Sequence, residues 1–260
     1  MEFTRITYGA ADRRALITLR RPDRLNALDD VMVRELTTAV TAAAKDPAVK
    51  SLLITGAGED FCAGADPEYL ASLTHADLET NRSDSFRLAN LYRLLYEVRK
   101  PVIALVNGPA LGAGCGLASA CDFVVAARDA SQFGYPEVRI GFIPAIVLVF
   151  LVKRVGEAKA RELVMRGNTL DANAAHGAGL VSAVVPDGEL LSAGESLAAE
   201  LARRNSGHAM GLCKDMLAKL PGMNLLDALD FAANMHAAAR MSQDCKTGVA
   251  ATLNKETLNW

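Results

Sequence analysis

The sequence predicts an α/β fold in which a mostly parallel sheet carries helices on its outside and is followed by a block of helices. Three observations carry that prediction. Strand-like and helix-like patterns alternate through the first half, strand signals nearly stop after Gly156, and 260 residues that are 51% hydrophobic suffice for one large core. Two independent domains are not expected at this length.

Residues 15–19 (ALITL) read as a strand, and Asp29 or Asp30 can cap a helix that runs to Lys45. Residues 49–55 read as the next strand, closed by Gly56, and residues 102–106 and 123–127 are further short apolar runs bounded by turn residues. Repetition of strand, helix and strand implies parallel pairing. The apolar run 143–152 contains a proline and reads as a buried helix, being far short of the roughly 20 residues a membrane span needs. Beyond Gly156 the pattern predicts helices over 157–166, 171–176, 187–203, 206–219, 225–240 and 243–258, with one strand at 180–185. Alanine-rich faces such as Ala228, Ala232 and Ala233 suit close helix packing, and contacts with a neighbouring subunit are the expectation for them.

The formal charge of -2 gives no global attraction to a polyanion, and no basic stripe offers a local one, so nucleic acid is not an expected partner. Five cysteines (Cys62, Cys115, Cys121, Cys213, Cys245) lack paired spacing, which argues against a disulfide framework and a structural metal site. A reducing, cytoplasmic setting fits, as does a charged N-terminus without the apolar stretch of a signal peptide.

Three glycine-rich segments are the candidate chemistry: residues 56–66 (GAGEDFCAGAD), 107–116 (NGPALGAGCG) and 133–141 (FGYPEVRIG). None carries a dinucleotide or phosphate-loop pattern in the required strand-to-helix context. Small residues let a ligand approach the main chain, and a helix start leaves N–H groups unpartnered, so two such loops can form an oxyanion hole. Each donor of that kind is worth about 3–4 kcal/mol against charge developing in a transition state. Tight turns and close packing are the alternative account of the same glycines.

The segments RPDRLNALDD, FCAGAD, NGPALGAGCGLASACD, SQFGYPEVRIGFIP and RGNTLDANAAHGAGLVSAVVP, in this order and spacing, resemble the signature blocks of the crotonase (enoyl-CoA hydratase/isomerase) family. The resemblance implies a spiral core of ββα turns over residues 1–200. It also implies a C-terminal helical region, 201–260, that makes the contacts of a homotrimer or dimer of trimers. It implies an acyl-CoA substrate, coenzyme A entering as part of the thioester, no tightly bound cofactor and no metal. The oxyanion donors become the N–H groups of Ala65 and Ala113. Arg24, Leu25, Ala63, Gly64, Asp66, Gly112 and Lys255 become the coenzyme A contacts, with solvated charges the alternative for Arg24 and Lys255.

Glu137 matches the catalytic acid of the FGxPE block, its alternative being an ion pair with Arg139 or a helix cap. A two-carboxylate hydratase of this family carries a further Glu where this chain has Gly116. One Glu must then hold water and return a proton, or it moves a double bond, as in a Δ3,Δ2-enoyl-CoA isomerase. A non-catalytic scaffold that binds CoA esters is the reading from another class. Glu68, Tyr69, His75 and Asp77 lie in a polar stretch that reads as solvated loop or as one wall of the acyl pocket. Bulky residues 146–150 are expected to be core, with a reshaped acyl pocket as the alternative.

Overall fold

The computed structural model describes residues 2–260. In chain order the strands are β1 (Ile6–Ala11), β2 (Arg14–Leu19), β3 (Ser51–Gly56), β4 (Val102–Val106), β5 (Pro109–Leu111), β6 (Phe123–Ala127), β7 (Gln132–Gly134), β8 (Thr169–Asp171) and β9 (Ala183–Val185). The first five helices are α1 (Asp30–Lys45), α2 (Pro67–Thr74), α3 (Leu78–Glu97), α4 (Ala113–Ser119) and α5 (Ala145–Arg166). They are followed by α6 (Ala172–Gly177), α7 (Leu190–Arg204), α8 (Gly207–Lys219), α9 (Leu225–Met241) and α10 (Gln243–Asn254).

The main sheet has six strands in the order β1-β2-β3-β4-β6-β9. Its first pair is an antiparallel hairpin turned at Asp12 and Arg13, both at positive φ, and every later pair is parallel. In β2 alternate residues are buried, whereas every residue of β4 is, as strands covered on both faces require. A three-stranded sheet, β5-β7-β8, lies apart from it and leads the chain into and out of α4.

The larger core lies between the main sheet and α1, α3, α4 and α5. Asp29 caps α1 by accepting from the Met32 N–H, and Met32, Leu36, Ala39, Val40 and Ala43 form its buried stripe. On the opposite face Leu53, Ile103, Leu105 and Val125 pack under α7. That helix comes close at Gly194, where a Cβ would stand 2.4 Å from a Leu105 methyl carbon. Helix α7 runs through residue 200 to Arg204, so sequence position 200 is not a structural boundary.

The polar stretch after residue 66 is helical rather than looped. Asp66 caps α2, Asp77 caps α3, and Leu91, Tyr92 and Leu95 bury one side of α3. The helix anticipated at 157–166 extends back to Ala145, absorbing the apolar run, with a break at Gly156 (φ 74°, ψ 166°). Val147, Phe150 and Leu151 of that run are buried, as core packing demands. Helix α10 stops at Asn254, short of residue 258, because Lys255 takes a left-handed conformation. Leu217, Leu225, Leu226, Leu229, Met241 and Leu253, on or beside α8 to α10, are each more than half exposed, so the chain's own core leaves this helical surface uncovered. No helix among the described residues is long and apolar enough to cross a membrane.

Candidate active site

Two glycine-rich segments meet where β3 and β4 end. The loop of residues 61–66 runs alongside β5: the Cys62 N–H donates to the Pro109 carbonyl, and the Leu111 N–H returns a bond to the Cys62 carbonyl, both at 3.0 Å. On its other side the loop is laced to residues 25–28. The Ala63 N–H donates to the Leu25 carbonyl (3.0 Å), the Leu28 N–H to the Gly64 carbonyl (2.7 Å) and the Asp66 N–H to the Leu28 carbonyl (2.9 Å). The Ala65 N–H, between these rungs, has no hydrogen-bond partner among the described residues, and Ala65 is exposed.

Ala113 opens α4, so its N–H has no carbonyl inside the helix, and no other acceptor meets it among the described residues. The two free donors are neighbours, since a Cβ built on Gly64 would stand 3.7 Å from the Ala113 nitrogen. Glycine is required there by its φ of +104° and by the Leu111 carbonyl oxygen 3.0 Å from the same point. Gly114 lets α4 settle onto the first loop, for a Cβ on it would overlap the Cys62 carbonyl oxygen at 2.0 Å.

Glu137 reaches the same place from the third segment, in a short 3-10 turn spanning Pro136–Ile140. Its Oε1 lies 2.9 Å from where a Cβ of Gly112 would be, which sets the carboxyl against the residue that precedes Ala113. Its Oε2 is buried without a hydrogen-bond partner among the described residues. Burial raises its pKa above the ordinary carboxylate value, a backbone hydrogen bond opposing only in part. No ion pair joins it to Arg139 among the described residues. A carboxyl kept short of partners beside two free N–H groups can take up and release protons next to a developing oxyanion.

The remaining sequence candidates divide. Leu25 and Ala63 hold each other through the backbone and line the loop, with Leu25 left-handed (φ 51°) and half exposed. Arg24 is exposed and donates to Glu68 at 2.7 Å. Asp66 is corrected from a ligand contact to a structural group: it is buried, caps α2 by accepting from the Glu68 and Tyr69 N–H groups, and pairs with Arg21 at 2.8 Å. Lys255 terminates α10, which packs on α9, and no hydrogen bond or ion pair ties its side chain to these loops. Of the polar residues after the loop, Tyr69 is turned to Asp84, Glu68 to Arg24 and Asp77 to the start of α3.

Gly116 stands one turn along α4 from Ala113, and Val147 of α5 fills the space beside it. A Cβ on Gly116 would lie 2.0 Å from Val147 Cγ1 and 3.3 Å from the Tyr92 ring. Tyr92 is fully buried, its ring edge-on to Phe150, and its hydroxyl donates to the Ala113 carbonyl at 2.6 Å. Sequence reasoning missed Arg21, Tyr92 and the Val147–Gly116 contact. The spacing of Leu88, Leu91, Tyr92 and Leu95 is the helical signal from which the buried face of α3 was readable.

A family model described as enoyl-CoA hydratase/isomerase matches residues 12–260. The chain belongs to the enoyl-CoA hydratase/isomerase family. A protein of Thermus thermophilus named as a putative enoyl-CoA hydratase is 39% identical over 93% of this chain and 94% of its own length. A crotonyl-CoA hydratase of Syntrophomonas wolfei is 34% identical over 100% of this chain and 99% of its own. An enoyl-CoA hydratase crystal structure from Shewanella pealeana superposes with a TM-score of 0.93 at 28% identity, covering 100% of this chain and 97% of that one. The α/β core with its helical C-terminus is thus the crotonase fold, and the chain is an enzyme of the hydratase/isomerase type.

Proposed function

We propose that this enzyme adds water to a 2-enoyl-CoA thioester through an oxyanion hole made of the Ala65 and Ala113 N–H groups and one acid/base, Glu137. The thioester carbonyl accepts from both N–H groups. Glu137 takes a proton from water as the oxygen adds to Cβ, the alkene electrons move onto the carbonyl oxygen, and the protonated carboxyl then delivers its proton to Cα. The observation that carries this reading is the Glu137 carboxyl packed against Gly112, immediately before the free N–H of Ala113. Its raised pKa suits a group that is base in one step and acid in the next. Hydratase names among relatives that match nearly the whole chain support the same choice. Coenzyme A enters as part of the substrate, and no cofactor or metal takes part. Glu137→Gln should lower turnover by about 10²–10⁴-fold while CoA-ester affinity changes little; normal turnover in that variant overturns the assignment.

Isomerisation of a Δ3- to a Δ2-enoyl-CoA is the second reading, favoured by the Gly116–Val147 contact, which leaves no room for a side chain at 116. Glu137 then removes a proton from C2 and returns it to C4. Offering Δ2- and Δ3-enoyl-CoA separately and resolving products by mass divides the two, since only hydration adds the mass of water. The uncovered apolar surface of α8 to α10 supports a homotrimer or a dimer of trimers, which light scattering tests against Leu226→Glu.

A further inference from the structure

The first turn of α4 is weak by sequence and cannot be strengthened by substitution. Gly112, Gly114 and Gly116 occupy or flank it, and glycine is the poorest helix former after proline. All three have structural reasons to be glycine. A Cβ would meet Glu137 at 112, the Cys62 carbonyl at 114 and Val147 at 116. The Ala113 N–H therefore sits on a backbone with little intrinsic preference for the conformation that aims it. Something outside the helix must hold it.

Among the described residues, one side chain hydrogen-bonds to the backbone of Ala113–Gly116 from another element, and it is Tyr92 of α3. The hydroxyl donates to the Ala113 carbonyl at 2.6 Å. The ring has no freedom to withdraw, being fully buried with Phe150 edge-on at 5.9 Å between centroids. Tyr96, one turn further along α3, packs on the same Phe150 at 5.6 Å but donates nothing to α4.

We propose that Tyr92 is a positioning residue for the reaction: by holding the Ala113 carbonyl it fixes the first turn of α4 and keeps the Ala113 N–H aimed at the thioester oxygen. Preorganised donors act on the transition state only if they need not move to meet it, so loss of the clamp falls on turnover rather than on substrate binding. The proposal rests on the reading that the Ala65 and Ala113 N–H groups receive that oxygen.

The test is Tyr92→Phe, with Tyr96→Phe as comparator, measured for kcat, KM, thermal unfolding and the absorbance of a bound aryl-conjugated enoyl-CoA. Polarisation of the thioester carbonyl shifts that chromophore to the red, a signal that a change in stability alone does not move. Tyr92→Phe should lose about tenfold in kcat with KM within about twofold, and should show a smaller red shift at saturation; Tyr96→Phe should keep the wild-type shift. Wild-type kcat and red shift in folded Tyr92→Phe overturn the proposal. Should that variant not fold, Phe150→Leu, which loosens the ring while retaining the hydroxyl, should give an intermediate shift, and an unchanged one overturns it. A wild-type enzyme that binds the chromophore with no red shift overturns the oxyanion-hole reading itself, and this proposal with it.

Discussion

Replacing Gly116 by alanine puts a methyl carbon 2.0 Å from Val147 Cγ1 and 2.6 Å from its Cβ, distances no van der Waals contact tolerates. Val147 is 3% exposed and cannot turn outward, so α4 and α5 must part. Overpacking of this kind costs about 1–3 kcal/mol. The better helix propensity of alanine offsets up to about 1 kcal/mol of it, leaving a net loss of about 1–2 kcal/mol. Val147→Ala acts in the opposite sense. It removes two methyl groups, worth about 1.6 kcal/mol of burial, and leaves a void of about 50 Å³ that adds about 1.2 kcal/mol. In the double variant the new methyl at 116 enters the space vacated at 147. The two losses should then cancel in large part, giving a coupling of about 2 kcal/mol in favour of the pair. Urea unfolding of the four proteins at 25 °C, with common slopes, measures the cycle. A double variant whose loss equals the sum of the singles within about 0.5 kcal/mol refutes the claim that the two positions share one space.

Three further outcomes follow from the same region. Burial raises the Glu137 pKa, so its contribution to stability is fully present below the unfolded carboxylate pKa and is lost as pH rises through the folded value. Glu137→Gln should therefore melt about 2–4 °C above the parent at pH 8 and show no such gain at pH 4, a contrast that equal melting differences at the two pH values would contradict. Burial pushes the Asp66 carboxyl up, but the Tyr69 N–H and Arg21 outweigh it and hold the pKa below the usual range. Its stabilisation is present above the ordinary carboxylate pKa and lost as pH falls through the depressed one. Asp66→Asn strands the buried Arg21 charge and should cost about 3–5 kcal/mol in urea unfolding, and a loss under 1 kcal/mol refutes the pairing. Gly112→Ala forces φ +50° on a residue with a Cβ and sets that carbon 2.9 Å from Glu137 Oε1. Its kcat should fall more than tenfold as the carboxyl is displaced, and an unchanged kcat shows that Glu137 does not work from this position.

The main sheet and the first long helix were readable because their signals are local. Residues 102–106 and 123–127 are apolar runs ended by turn residues, and β4 and β6 occupy those positions. Asp29 before an amphipathic run marked the start of α1. Helices α2 and α3 escaped because the charged residues from 77 to 87 hide the period that Leu88, Leu91, Tyr92 and Leu95 establish only at the far end of α3. Strands β5, β7 and β8 escaped because three-residue strands carry too little pattern to distinguish from turns. The same brevity hid the short sheet that delivers the chain to α4.

The order of the glycine-rich segments and the family they mark lie in the sequence itself, as does the choice of Glu137 as the one acid in its block. Those are properties of residue type and spacing, written along the chain. The partners of each group are not. Asp66 and Arg21 are 45 residues apart, Tyr92 and Ala113 are 21 apart, and only the packed fold makes each pair a hydrogen bond. Whether Gly116 is an empty place or a filled one was decided by Val147, a residue of another helix. A side chain's chemistry belongs to the sequence, but its neighbours, its burial and therefore its pKa are set by contacts between distant segments, which exist only once the chain has closed on itself.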